Sequence, residues 1–277
     1  MRPANDDIDA RPGSTTSLLL TIIGGSLRAQ GRWMPSAVFV ELMETIDIPA
    51  ARTRTALTRL KAKGMLVAET RGGVAGCFLP DTAIPVLERE DARIDQPRLM
   101  TDDERWFVLS FSVPEEDRAV RHQLKRRLKW IGCGSVAGAL WIGPAHLVTE
   151  AEEIVEDLDL VGRVTVFMVD ELRGATEPRV AVARWWDLDT IRALHDDFLD
   201  AHKSSLDAFR VDPTPRNAFR TWTRALDAWR PITGIDPGLP ASVMPEDWPG
   251  ARSIPLFLEL RELLAGPAMR YVESLSR

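Results

Sequence analysis

The stretch from Asp47 to Leu66 (DIPAARTRTALTRLKAKGML) constrains the fold of this 277-residue chain most strongly, because it contains signals for both ends of one helix. Pro49 suits the start of a helix, since the N–H that proline lacks would be unpaired in the first turn. Gly64 supplies the matching end. Between them, four residues recur at helical spacing and predict one narrow buried stripe: Thr53, Ala56, Leu57 and Leu60.

The opposite side of this predicted helix carries cations and small hydroxyl side chains, and no acidic residue occurs from Ala50 to Lys63. Such a surface suits the DNA major groove, where arginine can pair with guanine through two hydrogen bonds and threonine can contact bases or phosphates. The alternative is an ordinary solvent-exposed helix that happens to be basic. The candidate DNA-binding residues, including one in a turn that follows the helix, are Arg52, Arg54, Thr55, Thr58, Arg59, Lys61, Lys63 and Arg71.

The segments on either side favour the DNA-binding interpretation. Ser17 to Leu27 predicts a buried first helix that Gly24 and Gly25 end early, and Pro35 to Ile46 predicts a second helix two residues before the basic one. This spacing is typical of a helix-turn-helix. Downstream, two short strand-like runs flank the turn Arg71-Gly72-Gly73 and predict a hairpin over residues 65–79. Three helices and a basic-tipped hairpin predict a winged helix-turn-helix.

The net charge of −6 is unevenly distributed along the chain. From Thr15 to Pro80 there are eight Arg or Lys residues against four Asp or Glu, a net charge of +4, whereas Asp81 to Arg277 carries −9. Phosphates respond to the local field, because salt screens charges beyond about 8 Å. We therefore expect a basic N-terminal DNA-binding domain, followed by an acidic remainder of the chain that has another function.

The rest of the chain predicts two further domains. The middle domain has an element order that resembles a ferredoxin-like α+β sandwich: strand 106–113, helix 115–131, strand 139–142, helix 147–158 and strand 163–169. From Val182 the pattern is mostly helical, with a final pair of helices at 254–264 and 268–275. The expected fold class is α+β, with a winged helix-turn-helix (14–82), a connector with a helix at Ala83–Ala92 (83–104), the ferredoxin-like domain (105–181) and a helical C-terminal domain (182–277).

Three stretches resemble one protein family. RTALTRLKAKGML, from Arg54 to Leu66, is similar to the recognition helix of the PaaX-like family of bacterial transcriptional repressors, named for the phenylacetate-degradation regulator. Arg105 to Pro144 is similar to the family's middle domain, and DPGLPASVMPEDWPG, from Asp236 to Gly250, to its C-terminal signature. The resemblance implies an effector-responsive repressor that binds double-stranded operator DNA and is released by an acyl-CoA such as phenylacetyl-CoA, with phenylacetate catabolism as the implied pathway.

An anionic coenzyme A needs a local basic site, because this remainder of the chain as a whole is acidic. A dense basic cluster lies on the predicted helix 115–131, and tryptophans are concentrated in the C-terminal domain. The candidate effector-binding residues are Arg126, Arg127, Trp185, Trp186, Trp222 and Trp229. The alternatives are a solvated helix face paired with the acids from Glu150 to Asp159, and tryptophans that simply form the core.

No sequence pattern for catalysis, metal binding or cofactor binding is present: GxSxG, GxGxxG and P-loop strings are absent. We therefore expect no enzyme activity, no catalytic residues, no metal and no cofactor, and we expect His195 and His202 on an exposed helix face. The open alternative is a nucleic-acid-processing enzyme or a DNA-binding scaffold that uses the middle domain.

The longest apolar run, Leu18 to Ile23, is far too short to cross a membrane, and Met1 to Gly13 lacks the apolar core of a signal peptide. We expect a disordered N-terminal arm on a cytoplasmic protein that has no membrane partner. A single recognition helix reads too few base pairs to find an operator, so the sequence also predicts a homodimer.

Overall fold

The computed structural model of the protein describes residues 11–84, 87, 93–94, 97–173 and 177–276. Most of the N-terminal arm and most of the connector helix expected at Ala83–Ala92 lie outside these residues. The chain forms two compact units. The first comprises Met1–Asp95, Asp196–Pro231 and Ala251–Arg277, and the second comprises Gln96–His195 and Ile232–Gly250.

The N-terminal part of the first unit combines α-helices with a small antiparallel sheet. The helices are α1 (Thr15–Ile22), α2 (Ser36–Thr45) and α3 (Ala50–Ala62). The strands are β1 (Trp33–Pro35), β2 (Val67–Arg71) and β3 (Val74–Phe78), which lie in the order β1-β3-β2. Helices α1 and α2 both pack against α3, and α2 also contacts the sheet.

The first helix does not end where the sequence predicts. Gly24 and Gly25 were the predicted end, but the backbone continues as a π-helical turn over Ile23–Leu27. The side chains of Ile23 and Leu27 are both fully buried. The additional turn therefore adds apolar surface to the core, which favours continuation over termination.

The predicted hairpin is present, with its strands displaced by a few residues from their predicted positions. Strands β2 and β3 pair from Val67 opposite Phe78 to Arg71 opposite Val74. Gly72 and Gly73 connect them with φ angles of 56° and 81°. Both angles lie in the left-handed region, where glycine has no steric penalty, so the pair forms a two-residue hairpin turn.

The second unit is built around an antiparallel sheet with the strand order β5-β6-β4-β7. Its strands are β4 (Trp106–Phe111), β5 (Gly134–Ala137), β6 (Leu140–Pro144) and β7 (Val164–Val169). Its helices include α4 (Arg118–Trp130), α5 (Val148–Asp157) and α6 (Pro178–Trp185). Strand β5 is absent from the prediction, and it gives the domain a βαββαβ order.

Each face of this sheet carries a buried cluster of side chains. Alternation along β4 directs Phe107 toward a core with Leu124 of α4 and Ile154 of α5. The same alternation directs Trp106 to the other face, into a cluster with Trp186. A Cβ atom at Gly134 of β5 would lie 2.7 Å from the Trp186 ring, so the glycine lets the indole approach the strand closely.

The C-terminal part of the chain is helical, so the structure confirms an α+β class with a helical C-terminus. Its helices are α7 (Leu188–His202), α8 (Ser205–Val211), α9 (Pro215–Ile235) and α10 (Gly250–Leu275). The two final helices of the prediction form one helix, α10, which contains Pro255 and Pro267. Within the first unit, Phe257 of α10 stacks on Trp229 of α9 with ring centroids 4.4 Å apart. No helix among the described residues has the length and apolar character needed to cross a membrane.

The structure corrects the prediction that His195 and His202 share an exposed helix face, because both side chains are buried. His195 Nε2 lies 2.8 Å from Asp236 Oδ2, and its ring packs edge-on against Trp248. The ring of His202 packs against Phe198 with centroids 5.0 Å apart. Packing in the folded chain therefore buries two side chains that the local sequence would leave in solvent.

The burial of His202 makes the stability of the protein depend on pH. Burial, with a further contribution from Arg224, lowers the pKa of His202 from 6.5 to about 4. The unfolded chain therefore binds a proton between these values that the folded chain does not bind. This contribution to stability is present above pH 6.5 and is lost as the pH falls toward 4.

We predict that His202→Gln will reduce the dependence of unfolding free energy on pH. In the parent protein, this histidine should account for a loss of about 2 kcal/mol between pH 7 and pH 5. Urea unfolding of both proteins at the two pH values measures the difference. His122→Gln, at an exposed position of α4, should retain the parent dependence. An unchanged dependence in His202→Gln would contradict the assignment.

Candidate nucleic-acid interface

Helix α3 has one buried stripe and one broad exposed face. The buried residues are the four that the sequence predicts: Thr53, Ala56, Leu57 and Leu60. Gly64, with φ +72°, follows the helix, and Met65 N–H donates to Leu60 O at 3.0 Å. These contacts close the C-terminus in the way that a left-handed glycine permits. The packing fixes which side of α3 faces solvent.

The exposed face of α3 has small side chains at its centre and cationic side chains at its edges. Successive residues on an α-helix are rotated by about 100°, so Thr55 and Thr58 lie centrally, with Arg54 on one side and Arg59 on the other. All four are exposed. Thr55 Oγ1 donates to Ala51 O, and Thr58 Oγ1 to Arg54 O, each at 3.0 Å. Each hydroxyl oxygen remains able to accept a hydrogen bond.

The charge of this face is not neutralised within the described part of the chain. Arg54 and Arg59 form no ion pair there. The acidic residue before the helix, Asp47, is held elsewhere: Arg220 and Arg224 of α9 both bind its carboxylate. The positive field of α3 is therefore directed to solvent.

The turn between α2 and α3 is held by helix α9, which the sequence did not indicate. Asp47 has φ +66°, an unusual conformation for a residue with a Cβ atom. Arg224 Nη2 donates to Ile46 O at 2.7 Å as well as to Asp47 Oδ2 at 3.1 Å. Arg220 and Arg224 lie far from Asp47 in the sequence, so only the folded structure shows that they bind it.

The other candidate DNA-binding residues differ in position. Arg52 is exposed on α3, Lys61 is half-buried, and Lys63 is an exposed residue at the C-cap. Arg71 lies at the hairpin tip, but its Nε donates to Glu69 Oε1 at 2.6 Å. The Arg71 guanidinium also lies over the Trp33 and Phe78 rings, 5.4 and 5.6 Å from their centroids. Arg71 is therefore packed against its own sheet.

The four candidate effector tryptophans lie in two separate cavities and one core. Trp185 and Trp186 line a cavity of about 300 Å³ in the second unit, together with Lys129 and Arg184. Trp222 lines a cavity of about 240 Å³ in the first unit. Trp229 is buried in the aromatic core of the first unit.

Arg126 and Arg127 are not among the residues that line either cavity. Arg127 Nη1 lies 3.6 Å from Asp157 Oδ2 on α5. This contact is of the kind expected if the basic face of α4 pairs with the acids from Glu150 to Asp159. The cation that α4 contributes to the tryptophan-lined cavity is Lys129, whose Nζ is 3.7 Å from Asp187 Oδ2.

Comparison with known proteins places the chain in one family. Residues 14–82 match the model described as PaaX-like protein, residues 100–181 match the PaaX protein central Cas2-like domain, and residues 186–274 match the PaaX-like protein C-terminal domain. The chain is 23% identical over 270 residues to the Transcriptional repressor PaaX of Escherichia coli (strain K12), covering 96% of this chain and 85% of that protein.

A solved structure also has a similar fold. It is an uncharacterized protein from Mycobacterium tuberculosis, which aligns with a TM-score of 0.54 and 21% identity. The alignment covers 94% of this chain and 99% of that chain, so the resemblance in fold extends over nearly the whole molecule. The three successive family matches, over residues 14–82, 100–181 and 186–274, lead to one conclusion: the chain belongs to the PaaX-like family.

Proposed function

We propose that this protein is a transcriptional repressor that binds operator DNA through α3 and releases it when an effector binds. The similarity to a protein named as a transcriptional repressor supports the regulatory role. The observation that carries the DNA-binding role is the exposed face of α3, where Thr55 and Thr58 lie between Arg54 and Arg59. In this proposal residues 14–82 form a winged helix-turn-helix.

The arrangement of side chains on α3 suits insertion into a major groove. Threonines at the centre let the helix approach base edges closely, and their methyl groups can contact the methyl group of thymine. Arginines at both edges can reach guanine or the flanking phosphates. Lys61 and Lys63 then contribute phosphate contacts near the end of the helix. Arg71 must leave its contact with Glu69 to do the same, or it acts only by supporting the hairpin.

The effector in this proposal binds the cavity that Trp185 and Trp186 line. Its volume of about 300 Å³ is at the lower end for ligand sites and suits an aryl-acyl group. Trp141 also lines the cavity, and its buried indole N–H has no hydrogen-bond partner among the described residues. A thioester carbonyl could accept that hydrogen bond. Lys129 and Arg184 can bind the phosphates of coenzyme A as they extend from the cavity.

A homodimer would double the number of base contacts. The middle domain, which we propose to be ferredoxin-like from its βαββαβ order, has β7 at one edge of its sheet. Phe167 and Met168 of this strand are 53% and 40% exposed. An exposed apolar edge strand can pair with a second copy, which would bury both the backbone groups and these side chains.

Substitutions on α3 should separate base recognition from phosphate binding. We predict that Arg54→Ala and Arg59→Ala will each cost about 1–3 kcal/mol of operator affinity and relax specificity at one position. Lys63→Ala should weaken binding to all sequences alike and reduce the slope of affinity against salt. Arg210→Ala, at an exposed site on α8, is the control. Titrations of operator variants at several salt concentrations distinguish these effects, and unchanged affinity and specificity in both arginine variants would refute the assignment of α3.

Operator symmetry and protein assembly test the dimer. The operator should be palindromic, with half-sites separated by whole helical turns of about 34–36 Å. Phe167→Glu should shift the protein toward monomer in sedimentation at micromolar concentration, because it places a charge in the proposed contact. Val211→Glu adds the same charge at a residue that is 86% exposed and should leave the dimer intact. A parent protein that sediments as a monomer, with and without DNA, would contradict the proposal.

The effector can be identified by release of operator DNA. We predict release by phenylacetyl-CoA, and none by free phenylacetate or bare coenzyme A, because the site must bind both the acyl and the anionic parts. The ligand must also favour the DNA-released state, since equal affinity for both states shifts no population. Lys129→Gln should weaken the response, whereas Lys125→Gln on the same helix should not. If no acyl-CoA releases DNA, the effector belongs to another chemical class.

A further inference from the structure

The second cavity lies within the first unit, between the N-terminal helices and the C-terminal ones. Its volume is about 240 Å³. The π-helical turn after α1 contributes Gly24 and Gly25 to its lining, and the next residue along the chain contributes Arg28. Helix α9 contributes Trp222 and Arg230, while α10 contributes Arg261. The cavity therefore brings together side chains from segments that are about two hundred residues apart in sequence.

The described residues that line this cavity include three arginines and no aspartate or glutamate. Arg230 Nη1 donates to Thr21 Oγ1 at 3.1 Å. Arg261 Nη1 donates to the Ile94 carbonyl at 3.5 Å. A guanidinium group has five N–H donors, so it can bind an anion while it keeps a contact with the protein. Arg28, Arg230 and Arg261 are each only partly exposed, which limits the screening of their charge by solvent.

The remaining surface of the cavity is largely apolar. Leu20, Leu226 and Met269 line it, and the Trp222 ring stacks on Phe257 at 5.6 Å, which supports the indole from behind. Cationic donors beside an aromatic and aliphatic surface match a ligand with an anionic group on an apolar body. The volume of about 240 Å³ and the three arginines suit a small organic anion.

We infer that this cavity is a binding site for a small carboxylate or phosphate ester carried on an aryl or alkyl group. The anion pairs with Arg261 and Arg230, and the apolar part lies against Trp222. This site is distinct from the tryptophan-lined cavity of the second unit, with which it shares no lining residue.

The position of the site connects it to the first helix. Thr21 Oγ1, which accepts from Arg230, also lies 3.1 Å from Asp227 Oδ1. Asp227 in turn accepts hydrogen bonds from Ser17 Oγ at 2.5 Å and Gly13 N–H at 2.6 Å. Helix α1 packs on α3, so an anion that shifts the Arg230 guanidinium alters its hydrogen bond to Thr21 and with it the support of the DNA-binding helix. This last step rests on the proposed function.

Calorimetric titration of the full chain without DNA tests the site. Benzoate and phenyl phosphate are the anionic probes, and benzamide is the uncharged probe of similar shape. We expect saturable binding of at least one anion, with benzamide at least tenfold weaker. The tighter of the two anions identifies the anionic group. Failure of both anions to bind, or equal binding of benzamide, would overturn the inference.

Matched variants locate the binding within the molecule. Arg261→Gln should weaken the anion about tenfold or more, as expected for loss of a charged hydrogen bond. Arg261→Lys should restore part of the affinity, and Ala265→Phe should block binding by filling the cavity. Arg270→Gln changes an exposed arginine of the same helix that does not line the cavity, so it should bind like the parent. Equal affinities for Arg261→Gln and Arg270→Gln would place the anion elsewhere and overturn the assignment.

Coupling to DNA is measured separately. Saturating benzoate or phenyl phosphate, whichever binds, should change operator affinity severalfold in the parent protein but not in Ala265→Phe. An unchanged operator affinity together with intact anion binding would overturn the coupling and support the site alone. A parent protein that binds no operator without a ligand would count against the proposed function, whereas the titrations without DNA would still test the site.

Discussion

The buried carboxylate of Asp227 on α9 fixes helix α1, and the position of α3 depends on that contact. The residue is 2% exposed and accepts hydrogen bonds from Ser17 Oγ, Gly13 N–H and Thr21 Oγ1. A buried carboxylate costs several kcal/mol unless such donors replace water. The donors come from α1 and from the residues just before it. Helix α1 is thereby fixed to α9, and α3 packs on α1.

The N-terminal helices are therefore part of a larger structure. Arg220 and Arg224 of α9 hold the turn at Asp47, and Tyr271 of α10 lies 3.0 Å, hydroxyl to hydroxyl, from Thr45. These contacts lie immediately before α3, where a change in backbone angle would reorient the whole exposed face. A ligand can shift the DNA affinity of a regulator only if the ligand binds the DNA-bound and DNA-released conformations with different affinity. Contacts that set the orientation of α3 are a place where two such conformations can differ.

Local sequence signals predicted the helix α3, its buried stripe and the β2–β3 hairpin, because helical spacing, a terminating glycine and a two-glycine turn act over a few residues. Contacts between distant segments were not predictable. The Gly-Ser-Val-Ala sequence of β5 gives little local signal for a strand. Its place in the sheet involves the close approach of Trp186 to Gly134, which only the folded structure shows. His195 lies on a polar stretch of sequence and is buried by Asp236. The candidate tryptophans were likewise identified by type, but only the fold assigns Trp222 and Trp186 to different cavities.

The C-terminal signature shows why family membership does not by itself identify a ligand. Asp236 Oδ1 accepts from Gly238 N–H at 2.8 Å, while Oδ2 contacts His195. A Cβ atom at Gly238 would lie 2.1 Å from Arg98 O, and one at Gly250 would lie 2.8 Å from the Trp248 indole. Asp236, Gly238 and Gly250 of the signature therefore serve packing within the second unit. The residues that line the two cavities lie outside the signature, so under the proposed function the signature does not choose the ligand.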